Sequence, residues 1–146
     1  MGFSLPKGIF QRLKLPVRRM EYKGDIDGTK WFDDFAHHPT AILANYQALA
    51  ARYKNVALII HPATYTQRRR EGYRELFSAL KGIKQVAILP DAKQHALYDL
   101  PGGWVYVESA QRAQAWAQYQ AADAVCVMSS QYLPQIFAFE TLEYAG

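Results

Sequence analysis

Ten residues from Asp33 to Ile42, DDFAHHPTAI, bring two carboxylates, two imidazoles and a helix-starting proline to one junction. A carboxylate at a strand end accepts hydrogen bonds from sugar hydroxyls or holds an arginine. Asp33 and Asp34 would also serve as turn caps, the commonest local use of aspartate. His37 and His38 are adjacent, so their side chains point apart and a shared metal ion is not expected; hydrogen bonding is the better reading. A second polar segment, His61 to Arg70 (HPATYTQRRR), ends in three arginines, which suit bidentate contact with an anion or a solvated helix start. A third, Ser129-Ser130-Gln131, closes an apolar run.

These segments need elements to hold them. Val17–Lys23 alternates apolar and polar residues as a strand does, Asp25 to Gly28 supplies turn chemistry, and Thr29–Asp33 returns as the second arm of a hairpin. Pro39 fits the first helical turn, followed by Ile42, Leu43, Tyr46, Leu49, Ala50 and Tyr53 on one face. VALII (Val56–Ile60), QVAIL (Gln85–Leu89), WVYV (Trp104–Val107) and AVCVM (Ala124–Met128) predict strands. Tyr73, Leu76, Phe77 and Leu80 mark a second helix. Ser109 caps a third through Ala122, with Ala113, Trp116 and Ala117 inward, and a last helix begins near Pro134. Alternation of strands and helices after the hairpin implies an α/β fold with a mainly parallel sheet covered on both faces. Ligands of open sheets of this kind bind at the carboxyl ends of the strands, where all three polar segments fall.

Composition narrows the function classes. The 146 residues suffice for one domain, half are apolar and 21% charged. No run of about eighteen apolar residues suggests a membrane span. The N-terminus lacks signal-peptide character, and the lone Cys126, read as buried in AVCVM, forms no internal disulfide; a cytoplasmic setting is expected. A net charge of +4 suits an anionic ligand. Nucleic acid is disfavoured, because Trp104, Tyr106 and Trp116 lie on expected core faces and no base-stacking pattern is evident.

DDFAHHPTAI resembles the carboxy-terminal domain of the Mur ligases, ATP-dependent enzymes of peptidoglycan assembly. The alanine of HPTAI is most like the murein peptide ligase branch, which joins a recycled tripeptide to UDP-N-acetylmuramate; the UDP-N-acetylmuramate–alanine ligase branch is next. FQRLKLPVRRMEYKGDIDG and AVCVMSS are similar to the opening and the last strand of that domain. The resemblance implies a dinucleotide-fold-like domain of about six strands over residues 17–146. Residues 1–16 would be a lead-in from a central ATPase domain. No GxxxxGK followed by Ser or Thr is present, so the chain alone is expected to be inactive, with ATP and Mg²⁺ bound mainly by the central domain.

By the same resemblance, Asp34 is the hallmark aspartate that helps close the ATP site. Phe35 either lies against a purine or staples the helix entry, and His37 and His38 touch nucleotide or fix the loop. The loop after Ile60 reads roughly QPHRYTRT in one branch and EPRSNTMK in the other, with basic residues for the carboxylates of the incoming amine. Here Pro62 and Thr66 match both patterns, while Ala63 and Thr64 replace the first basic residues. His61, Thr66, Arg68, Arg69 and Ser129 are therefore the expected substrate contacts. Ser129-Ser130-Gln131-Tyr132 replaces a glycine-rich turn, a loss of backbone freedom that makes a diverged, non-catalytic binding or scaffold module the alternative.

Overall fold

A computed structural model describes residues 18–137. The expected lead-in, 1–16, and any helix beyond Phe137 lie outside the described residues. The strands are β1 (Glu21–Ile26), β2 (Thr29–Asp34), β3 (Val56–Ile60), β4 (Val86–Ile88), β5 (Val105–Tyr106) and β6 (Ala124–Met128). The helices are α1 (Pro39–Ala50), α2 (Tyr65–Arg68), α3 (Arg70–Ala79) and α4 (Ala110–Gln120), followed by a 3₁₀ turn at Pro134–Phe137. One six-stranded sheet has the order β1-β2-β6-β3-β4-β5, parallel throughout except for the antiparallel β1–β2 hairpin. This is the expected α/β architecture.

The hairpin is tighter than Asp25–Gly28 suggested. Asp27 and Gly28 alone form its loop, both at positive φ (48° and 85°), the conformation an Asp-Gly hairpin turn requires. Its first strand starts at Glu21; of the span expected from Val17, which lies outside the described residues, Arg18 to Met20 stay out of the strand, and Met20 takes a left-handed conformation (φ 49°) that interrupts extension. Lys23 is an extra residue between the Tyr22–Phe32 and Gly24–Trp31 pairs, a bulge at the sheet edge.

β3 and β6 are buried along their whole length, as continuous apolar runs in a doubly covered sheet should be. Two cores form. Ile42 and Leu49 of α1 and Tyr73 and Leu76 of α3 pack with Phe32, Leu58, Ile60, Cys126 and Met128 on one face. Ala113 and Ala117 of α4 pack with Trp31, Ala57, Ile59 and Val127 on the other. Ala50, expected inward, is exposed, since the seam of α1 runs through Ile42 and Leu49 and leaves it to one side. The helix after Ser109 stops at Gln120 rather than Ala122, because Ala121 turns left-handed (φ 52°). The fourth and fifth strands keep only their central residues.

β6 lies between β2 and β3, yet the chain leaving it turns to the opposite face from the chain leaving its two neighbours. Such a reversal opens a crevice at the carboxyl ends of the strands.

Candidate functional site at the carboxyl rim of the sheet

The crevice is framed by the ends of β2, β3, β4 and β6. The Ser129 amide donates to the Asp34 carbonyl (3.1 Å), and the His61 amide donates to the Met128 carbonyl (3.0 Å). His61 Nδ1 lies 2.9 Å from Ser129 Oγ. His61 and Ser129 therefore meet through their side chains, and Asp34, distant from both in sequence, joins the same rim through its backbone carbonyl.

Asp34 is buried and its carboxylate looks inward. Oδ1 accepts from the Ala36 amide (2.7 Å); Oδ2 accepts from the Met20 amide (3.2 Å) and from Asn45 Nδ2 of α1 (2.9 Å). A carboxylate offers about four acceptor positions, so one remains on Oδ1. Burial raises its pKa above the ordinary value, against the lowering effect of the two amides. Asp33 points to the opposite face and forms a fork with Arg18, whose Nε and Nη2 donate to its two oxygens at 2.7 and 3.0 Å. Arg18 Nη2 also donates to the Ser129 carbonyl (2.9 Å), tying the entry of the described chain to the loop after β6.

Phe35 is about half exposed on the rim, its ring edge-on to His37 with centroids 5.1 Å apart. His38 occupies the N-cap position of α1 without a side-chain cap bond, and its ring lies tilted against His37 with centroids 4.4 Å apart. One exposed and one half-buried imidazole and an exposed ring at the start of a twelve-residue helix suit a planar, anionic ligand such as a nucleotide.

The segment 61–70, expected to be a loop, contains the single turn α2. Thr64 and Gln67 form a capping box at its start, and Gln67 Nε2 donates to the His37 carbonyl (2.8 Å), joining the second polar segment to the first. Thr66 is exposed and faces the start of α1 across a pocket shared with His37, His38 and Gln67. Arg68 turns inward, with Nη1 donating to Asp91 Oδ1 at 2.9 Å. Arg69 turns out to solvent, above the Tyr65 ring and 3.6 Å from Glu71. The three arginines are thus divided between roles and do not form one patch.

Asp91, after β4, was missing from the sequence reading. It stands 3.6 Å from His61 Nε2 and completes a line Ser129–His61–Asp91–Arg68. Burial drives the His61 pKa below its ordinary value of 6.5, and Arg68 pushes it the same way while Asp91 opposes. Burial also raises Asp91, but the Lys93 amide, Arg68 and His61 outweigh it and hold the carboxyl below its ordinary value. His61 is consequently a neutral hydrogen-bonding group near neutral pH. Asn45 and Arg18 were likewise missed. Asp91, in Pro90-Asp91 directly after an apolar strand, carried the same strand-end signal as the other segments.

Among the described residues no group of three His, Cys, Asp or Glu side chains could hold a metal ion. The rim carboxylates are each held by separate N–H donors and do not converge in a group of three, so the rim does not fit a magnesium site of its own. No helix among the described residues is long and apolar enough to cross a membrane.

The family model described as Mur ligase, glutamate ligase domain, matches residues 18–131. The chain belongs to this family. Over 43 residues it is 51% identical to a UDP-N-acetylmuramate–L-alanyl-γ-D-glutamyl-meso-2,6-diaminoheptandioate ligase of Escherichia coli, covering 30% of this chain and 9% of the relative. Over 119 residues it is 29% identical to a UDP-N-acetylmuramate–L-alanine ligase of Bdellovibrio bacteriovorus, covering 80% of this chain and 26% of the relative. A murein peptide ligase of Psychrobacter arcticus shares the fold, with a TM-score of 0.61 at 22% identity over 88% of this chain and 28% of that one. A solved domain assigned to a ligase of the tripeptide type in Haemophilus ducreyi has a TM-score of 0.60 at 24% identity, over 86% of this chain and 95% of that domain. Matches to the curated relatives thus span from 9% to 26% of their length. The chain is a Mur ligase carboxy-terminal domain, homologous to part of enzymes named as UDP-N-acetylmuramate ligases.

Proposed function

We propose that this Mur ligase domain closes the active site of an ATP-dependent ligase that joins an amino acid or a recycled tripeptide to UDP-N-acetylmuramate in the cytoplasm. Residues 1–16 link it to a central ATPase domain, which holds most of the ATP and its Mg²⁺; the isolated chain is inactive. What supports the reading most is the meeting of Asp34, His61 and Ser129 on one rim. In this reading ATP activates the muramyl carboxylate as an acyl phosphate, and the amine displaces phosphate.

The domain's share is positioning, the dominant contribution in phosphoryl transfer. Asp34 holds the turn that carries Phe35, His37 and His38 against the nucleotide, and offers its remaining acceptor position to a ligand hydroxyl. His61 and Ser129 set the floor. Thr66 and Arg69 face the carboxylates of the amine, and Arg68, held inward by Asp91, backs them. Incubation of the full-length protein with ATP, UDP-N-acetylmuramate and either L-alanine or the tripeptide tests this: mass spectrometry should detect the amide from one amine.

A second reading, a diverged non-catalytic module, is favoured by two observations. Arg68 is spent on Asp91, and the loop after Ser129 has no glycine. Absence of amide with every muramyl acceptor and amine would select it.

A further inference from the structure

Beside Arg68, away from Ser129, a groove of about 690 Å³ runs between α2 and the segment 91–98. Its walls are Tyr65, Arg69, Lys93, His95 and Tyr98, with Arg68 at the end nearest Asp91. Three of these residues come from the stretch between β4 and β5, to which neither the sequence motifs nor the proposed reaction assigns a role. That volume is in the range of pockets that hold ligands of many atoms, far more than one alanine needs.

The wall is built. Tyr98 donates its hydroxyl to the Arg68 carbonyl (3.2 Å), while its amide and carbonyl are both held by the Tyr106 hydroxyl (2.8 and 2.6 Å). Gln94 accepts from the Tyr73 hydroxyl (2.9 Å) and donates to the Ala96 carbonyl (2.6 Å). A segment pinned in this way loses little freedom when a ligand arrives.

Its charge is positive. Arg68 is neutralised by Asp91, and Arg69, above the Tyr65 ring, has the exposed Glu71 as its carboxylate, a pair of small value that a ligand anion readily replaces. Lys93 and His95 are exposed, with no carboxylate partner among the described residues. The cations of Arg69 and Lys93 and the imidazole of His95, a hydrogen-bonding group, are therefore offered at separate points along the groove. The backbone amides of Lys93 and Gln94, which could have cradled a phosphate, are instead turned onto the Asp91 carboxylate (2.8 Å) and carbonyl (2.9 Å). Point charges without an amide nest suit spaced carboxylates better than a polyphosphate.

We propose that this groove is a second anion subsite, which takes the distal carboxylates of a peptide nucleophile and so selects a peptide over a single amino acid. Lys93 and His95 are its specificity residues, with Arg69 beside them. The inference rests on the ligase reading for the identity of the peptide.

The test titrates the 146-residue chain with L-alanyl-γ-D-glutamyl-meso-diaminopimelate, L-alanine and tripolyphosphate, following backbone amide resonances. The tripeptide should shift the resonances of residues 91–98 and bind at least about tenfold tighter than L-alanine. Lys93→Glu should weaken it at least about fivefold, while Lys81→Glu, at the far end of α3, should not. No binding, equal binding of L-alanine, or tighter binding of tripolyphosphate at the same resonances would overturn the proposal. In the full-length enzyme, Lys93→Glu should raise KM for the tripeptide with kcat retained. An unchanged KM in an active ligase removes the subsite alone, whereas failure of the full-length protein with every amine removes the ligase reading and leaves the binding result to stand by itself.

Discussion

At the scale of single residues, the rim is governed by buried groups whose hydrogen bonds run inward. Asp34 answers three N–H donors from three places in the chain. Replacing it with alanine strands those donors, and a loss of about 2–3 kcal/mol is expected for such a partly buried set. Urea unfolding of the chain checks this, and Asp34→Asn should recover only part of the loss, because its NH₂ faces donors. His61 supplies a pH signature. Its folded pKa lies below its ordinary 6.5, so the folded state resists protonation. The unfolded chain binds the extra proton first, and stability falls as the pH drops from 6.5 through the folded value. Melting curves should show a stability loss over that window that is smaller in His61→Gln. A variant with the full wild-type slope would remove His61 as its source. Asp34 and His61 were legible as strand-end polar residues, and Asp91 carried the same signal unread; Asn45 was not legible, because it stands inside a helix and in no motif.

Elements explain which parts of the fold could be read from the chain. β3 and β6 were legible to the residue because burial on both faces demands uninterrupted apolar runs. The start of β1 was not, since Met20 adopts a left-handed conformation that its residue type does not announce. The turn α2 carried its own signal in Thr64-Tyr65-Thr66-Gln67, a capping box without the apolar run that usually follows one. Two element-scale predictions follow from geometry. Arg18→Met leaves Asp33 buried without its cation and should cost about 3–5 kcal/mol; a double variant that also replaces Asp33 by leucine should recover much of it. Ala121 ends α4 at φ 52°, where glycine pays no Cβ penalty. Ala121→Gly should therefore raise stability by up to about 1 kcal/mol, seen as a higher Tm.

For the whole molecule, the decisive arrangement is the placement of β6 between β2 and β3, which brings Ser129 beside both Asp34 and His61. Alternation of strands and helices put the three polar segments on one carboxyl rim, but periodicity does not give strand order, so their contact as neighbours was not legible. The groove beside Arg68 was not legible at all, because the segment 90–103 has no periodicity and its shape comes from side-chain bonds to Tyr73 and Tyr106. On the proposed function, in which the domain closes over nucleotide, the rim matters to turnover well beyond its effect on folding. The most direct measurement is phosphate release by full-length protein supplied with ATP, UDP-N-acetylmuramate and its amine, comparing wild type with Asp34→Ala at a temperature where both are folded. A fall of about a hundredfold in kcat/KM is expected from misplacing the rim; unchanged phosphate release by the variant would contradict the account.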